Sequence, residues 1–184
     1  MAGCITSTTL LGNKMGTRNL VSVKHEGEYK IANYGQWDGY PSGQGKKVLE
    51  YLAGWDKEKL IDRMSKIRQP SEDEIKKAYK DAGGDGSGFV TMEVSDRFRE
   101  KYPFIDRDLG ADILVMVQDA PEGADLALIN NRDFISECSC EFAYTIDLDE
   151  NTLHATGGGG EKTYKLDGLP TVEQLSKDID YSED

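Results

Sequence analysis

Between Glu141 and Leu148 the chain reads EFAYTIDL, and its side chains divide by parity. Phe142, Tyr144, Ile146 and Leu148 share one side, and Ala143, Thr145 and Asp147 share the other. An extended backbone alternates its side chains with a period of two, so this is a strand with its large apolar residues on a single face. Such a strand has to join a sheet, and an apolar layer has to cover it. The following residues supply more strands: DEN turns the chain into TLHA, and KTYKL follows the glycines Gly157 to Gly160. Near the other end, Val21 and Val23 alternate before HEGE, and Tyr29, Ile31 and Asn33 alternate after it. That pattern is a hairpin in which Gly27 supplies the positive φ of a tight connection.

Between these blocks the period becomes helical. Val48, Leu49 and Leu52 make one apolar stripe; Asp56 caps a second helix carrying Leu60, Ile61, Met64 and Ile67, and Pro70 is its expected stop. Ser71 and Glu74 form a capping box ahead of Ile75, Ala78 and Tyr79, with Gly83 or Gly84 as the end. Val94, Phe98 and Tyr102 read as a short helix before Pro103, and Leu109, Ile113, Met116 and Val117 as another before Pro121. From Leu126 and Leu128 onward the alternation returns. The expected fold is α+β: the N-terminal hairpin joins the C-terminal strands in one mainly antiparallel sheet, and the central helices pack on it. A single domain over residues 15–176 is expected, with 1–14 a disordered extension and 177–184 a frayed acidic tail.

No stretch approaches the ~18 uninterrupted apolar residues of a membrane helix. Residues 1–14 lack the basic segment and long apolar core of a secretory signal, so cytoplasmic residence is expected. Cys4, Cys138 and Cys140 make an odd number of thiols, which fits a reducing compartment better than a disulfide scaffold. The formal net charge is −12, unevenly spread: residues 1–70 hold 11 Lys/Arg against 7 Asp/Glu, and residues 71–184 hold 11 against 27. A field of that sign repels phosphate backbones and attracts basic surfaces, which disfavours direct nucleic-acid binding. The same charge also serves solubility alone.

Several motifs fail on their chemistry. With Gly88 at the obligatory glycine of a calcium loop, Gly83 falls on the first ligand position and Val94 on the twelfth, so both end carboxylates are missing. DLDEN puts Thr152 where that loop needs glycine and reads as a hairpin turn. In GQGKK the glycines Gly39 and Gly45 are too far apart for a phosphate loop, and Lys47 stands where Ser or Thr belongs. Cys138, Cys140 and His154 offer three soft ligands at most, fewer than a structural zinc site takes. Neither His25 nor His154 has a nucleophile motif beside it. No metal and no cofactor are expected.

One loop stands apart: YGQWDGYPSGQG, Tyr34 to Gly45, between the hairpin and the first helix. In a structural reading Trp37 and Tyr40 fold back over the sheet or helix, and Ser42 caps the helix around Val48. In a functional reading Tyr34, Gln36, Trp37, Asp38 and Tyr40 make an aromatic, amide-lined patch for a planar or cationic group. Both readings stand at the level of sequence.

Three blocks, MGTRNLVSV from Met15, YGQWDGYPSGQG, and CEFAYTIDLDENTLHA from Cys140, resemble a family of small proteins of phages, prophages and gut bacteria. Members begin at the residue matching Met15, which makes residues 1–14 an upstream extension. The resemblance extends to inhibitors of type II CRISPR nucleases and implies a stoichiometric anti-CRISPR protein whose acidic face occupies basic Cas9 surface. The expected contacts are then Trp37, Asp38, Tyr40, Gln36, Tyr34 and Arg18, with Asp106, Asp108 and Asp112 in the acidic surface. The partner is a host defence protein such as the Cas9–guide RNA complex. The alternative, from a different class, is a protein that sequesters or hydrolyses a nucleotide signal in a pocket at the Tyr34–Gly45 loop, lined by Asp38, Arg18 and Gln36. An accessory scaffold without a site is the third reading.

Overall fold

The computed structural model describes residues 16–84, 90–106, 108–137 and 139–180. Its sheet holds β1 (Asn19–His25), β2 (Glu28–Gly35), β3 (Phe142–Asp147), β4 (Thr152–Gly157) and β5 (Gly160–Lys165), in the spatial order β2-β1-β3-β4-β5. β1 and β3 are parallel, and the other neighbours are antiparallel. Among the described residues the helices are α1 (Lys46–Gly54), α2 (Lys57–Met64), α3 (Glu72–Asp81), α4 (Met92–Lys101), α5 (Asp112–Gln118) and α6 (Val172–Ile179). This is the α+β arrangement that the two periodicities require.

Parity decides which face is covered. Val21, Val23, Ile31, Phe142, Tyr144, Ile146, Leu153 and Ala155 meet Val48, Leu49 and Leu52 of α1, Leu60 and Met64 of α2, Ile113, Leu114 and Val117 of α5, and Leu175 and Ile179 of α6. On the opposite face Leu20, Ala32 and Ala143 lie under Cys140 and under Phe134 and Ile135, the last two brought there by a short helical turn at Arg132–Ser136. Beyond that patch the face is polar: Ser22 and Thr145 share a hydroxyl hydrogen bond of 2.8 Å, and Lys24 pairs with Asp147 at 2.9 Å. A satellite cluster joins α3 to α4, where Tyr79 stacks on Phe98 at 4.1 Å beside Ala78, Ala82 and Val94.

The local signals behave as their chemistry dictates. Asp56 accepts from Lys59 N, and the Ser71–Glu74 capping box is complete. Gly27 takes φ +75° in the hairpin turn. The carboxylate of Asp149, in the DLDEN turn, receives Glu26 N and Gly27 N at 2.8 Å each, so two turns lock together.

Four expectations change. α2 ends at Met64, well before Pro70, where Ser65 donates its hydroxyl to Asp62 O at 2.6 Å. Leu126 and Leu128 belong to no strand of the sheet; around them Arg68 and Ala127 form an isolated parallel bridge, and Leu126, Ala127 and Leu128 are all buried. Leu109 precedes α5 instead of opening it. Residues 177–179, expected in the acidic tail, belong to α6, which is capped by Thr171 and anchored by the fully buried Leu175 and Ile179. The Val172, Leu175, Ile179 spacing carried that signal, and the acidic residues between obscured it. Residues 85–89 of the stretch that fails as a calcium loop, Cys138, Cys4 and residues 1–15 lie outside the described residues. No described helix is long and apolar enough to cross a membrane.

Glu74 also receives Arg68 through two guanidinium hydrogen bonds of 3.1 and 2.9 Å. Arg68 first, then the Ser71 amide and hydroxyl, hold its carboxyl down at about 2. A carboxyl lowered on folding adds stability above its unfolded pKa and loses it as the pH falls through the folded value. Glu74→Gln is therefore expected to flatten the decline in urea midpoint between about pH 5 and about pH 2. A wild-type acid limb of unchanged steepness in the variant would refute this.

Candidate partner-binding surface

β2 leaves the sheet at the end where β1 and β3 begin, because β1 is antiparallel to β2 and parallel to β3. The Tyr34–Gly45 loop, Arg18 and Glu141 are thereby gathered at one end of the sheet. A loop crossing a buried region needs a partner for each backbone polar group. Asn19, fully buried at the start of β1, donates its amide to Gly35 O and Trp37 O at 3.1 Å each and to Thr17 O at 3.4 Å. Gln44 reaches Trp37 O at 3.4 Å and accepts Ala111 N at 2.8 Å. Tyr144, on the covered face of β3, donates to Gly39 O at 2.8 Å, and burial raises its phenol well above the ordinary range. Gly39 N bonds Thr17 O at 2.9 Å, and Gln44 N bonds Asp38 O at 2.8 Å.

Pro41–Gly45 forms a single wide π-helical turn that runs straight into α1, so Ser42 does not cap that helix. The turn comes close enough to the core that a Cβ at Gly45 would lie 2.9 Å from Tyr144 Oη and 3.0 Å from Leu175 Cδ2. A side chain there would have to push the buried Tyr144 and Leu175 aside.

The outward side is different. Trp37 is 56% exposed and Tyr40 37%, so neither folds back as a cover. The Trp37 ring lies over the backbone of Gly16. Asp38, between the two aromatics, has φ +56°, a left-handed conformation that costs a non-glycine residue roughly 1 kcal/mol. Its carboxylate accepts Tyr40 Oη at 2.8 Å, and that hydrogen bond raises the Tyr40 phenol pKa. Tyr34 meets Phe134 edge to face at 4.8 Å and donates its hydroxyl to the Gln36 side chain. Arg18 pairs with Glu141 at 3.7 Å.

Gln36, Trp37, Asp38 and Tyr40 thus lie on one hydrogen-bonded loop, with Tyr34 at the end of β2 bonded to Gln36 and Arg18 at the same end of the sheet. The three aspartates do not make one open acidic face. Asp106 has only 12% of its side chain exposed and takes Arg99 at 2.7 Å. Asp108 receives Gln36 N at 2.5 Å and so fastens the loop. Asp112 is exposed and holds Lys47 at 2.9 Å. The positioning residues Asn19, Gln44 and Tyr144 escaped the sequence reading. Asn19 shares the parity of Val21 and Val23, and a polar residue at that position of a covered strand is the signal that marks it.

Beside Tyr34 an open groove of about 430 Å³ is lined by Asn130, Asn131, Asp133, Phe134 and Glu137. Near it, burial, with Glu137 and Glu141 adding to it, pushes the Cys140 thiol up to about 11, so little thiolate exists at neutral pH. His154 is engaged with Thr163 at 2.9 Å, and His25 lies 3.4 Å from Asp149. Among the described residues no group of three or more His, Cys, Asp or Glu side chains is arranged to hold a metal ion.

Comparison of the chain with protein-family profiles, with curated proteins and with solved structures finds no match in any of the three.

Asn19→Ala leaves buried carbonyls without their donor and is expected to cost about 2–3 kcal/mol in chemical unfolding. Asn19→Asp is expected to cost more, since it sets a carboxylate against carbonyl oxygens. A loss under about 0.5 kcal/mol for both would show that the loop does not depend on this residue.

Proposed function

We propose that this chain is a non-enzymatic binding protein of the anti-defence kind, which inhibits a nuclease by occupying it. The Cas9–guide RNA complex is the partner that the family resemblance implies. The observation that carries the reading is the exposed Trp37–Asp38–Tyr40 tip held on a base of buried hydrogen bonds. Exposed Trp and Tyr are the side chains most often found at the energetic centre of an interface. A tip already locked by Asn19, Gln44 and Tyr144 loses little conformational freedom on docking.

Charge supplies the longer-range part. The surplus of 27 Asp/Glu over 11 Lys/Arg in residues 71–184 favours encounter with a basic nucleic-acid channel and makes the association salt-sensitive. The nucleotide-pocket reading is less well supported by the geometry. Its three lining residues direct their polar groups elsewhere: Asp38 to Tyr40, Gln36 to Tyr34 and Arg18 to Glu141.

Excess protein is expected to suppress DNA cleavage by the Cas9 complex and to co-elute with it. Trp37→Ala and Tyr40→Ala are each expected to weaken binding about 30-fold, roughly 2 kcal/mol. Their unfolding free energies should move by about 1 kcal/mol or less. Unchanged cleavage together with no co-elution removes the nuclease reading. Loss of stability in step with loss of binding would instead assign the tip a packing role.

A further inference from the structure

β5 ends the sheet, and among the described residues nothing pairs with its outer edge. The orientation of its backbone groups follows from the ladder with β4. Leu166 N donates to Asn151 O at 3.1 Å just beyond the strand, and further in Tyr164 opposes Leu153 and Lys162 opposes Ala155. Antiparallel ladders alternate residues that exchange both backbone bonds with residues that exchange none. Leu166, Tyr164 and Lys162 therefore turn their N–H and C=O toward β4, and Glu161, Thr163 and Lys165 turn theirs outward.

The side chains of these outward residues lie on the sheet face away from the helices, along with His154. That histidine contacts Thr163 Oγ1 at 2.9 Å and lies 3.8 Å from a Glu161 oxygen. Tyr164 points the other way and donates to Asp178 at 2.6 Å. Glu161 has 75% of its side chain exposed, and Lys165, among the described residues, reaches a backbone carbonyl, Glu150 O, at 3.5 Å. Both charges are thus available to a partner.

We propose that β5 pairs antiparallel with β5 of a second copy of this chain, which joins two sheets into one across a two-fold axis at Thr163. With that centre, Glu161 stands opposite Lys165 of the other copy, and Lys165 opposite its Glu161. Thr163 faces itself, and Lys162 comes beside Tyr164. The same register sets every outward-facing residue against another outward-facing one, as narrow antiparallel pairs require. Opposite charges and paired threonines directly across strands are favourable. Centring on Glu161 or on Lys165 would place like charges face to face, so the charge pattern selects one register. Edge strands are commonly defended by charge. Here the charges complement one another about a single point, which a merely defended edge does not need. This dimer is independent of the nuclease reading.

Sedimentation of the full chain over a wide concentration range is expected to show a reversible dimer. Glu161→Lys and Lys165→Glu, each alone, set like charges across both ends of the pairing and are expected to raise the dimer dissociation constant about tenfold or more. Mixing these two variants is expected to restore dimerisation as a heterodimer, because each then presents the charge that the other lacks. Thr163→Pro, whose missing N–H faces away from β4, is expected to be monomeric with its circular dichroism unchanged. A wild-type chain that stays monomeric throughout overturns the proposal. So does a dimer indifferent to the single charge reversals, or a mixture of the two variants that fails to associate.

Discussion

The parallel pairing of β1 with β3 is the constraint on which the rest of this structure depends. It runs from Asn19 opposite Phe142 to Lys24 opposite Asp147 and joins segments separated by most of the helical chain. A hairpin alone is marginal in water, and three or more strands with a packed face are needed for independent stability. By accepting β3 alongside β1, the N-terminal hairpin acquires the other strands and a continuous apolar face for α1, α2, α5 and α6 to cover. Parallel pairing also dictates that the helical excursion leaves and returns at the same end of the sheet. The Tyr34–Gly45 loop is therefore assembled next to Arg18 and Glu141, at the starts of both central strands.

At that end, burial and exposure divide the work between the two sides of one loop. Inward, Asn19, Gln44, Tyr144 and Asp108 satisfy backbone groups that would otherwise be stranded at the rim of the core. Outward, the same fixation leaves Trp37 and Tyr40 partly in solvent, with Asp38 in a left-handed conformation between them. Strained backbone and exposed aromatics persist where surrounding contacts over-determine the geometry. This combination leaves one side of the loop in the core and the other in solvent. The far edge of the sheet is a second surface, whose use depends on charges in register and not on aromatic anchors.

Much of the architecture was legible in one dimension. Parity in EFAYTIDL told which residues of β3 face the helices, and the hairpin around Gly27, the Asp56 cap and the Ser71–Glu74 capping box appear where their residue types demand. These are short-range effects, determined by neighbours within a turn or two of chain. Where longer-range contacts decide, the reading departed from the structure. Leu126 and Leu128 alternate like a strand yet meet Arg68 in an isolated bridge, and α6 hides its two core residues among acidic ones.

The candidate surface divides along the same line. Sequence by itself determined that a loop rich in aromatics and glycine joins β2 to α1, that acidity concentrates after Pro70, and that strands flank a helical middle, because composition and periodicity are properties of consecutive residues. Tertiary structure alone decided that Trp37 and Tyr40 face solvent, that Asp106 and Asp108 serve the fold, and that Glu161, Thr163 and Lys165 line an edge that no described strand pairs. Those outcomes follow from which distant segments share hydrogen bonds and burial, and no local pattern encodes that sharing.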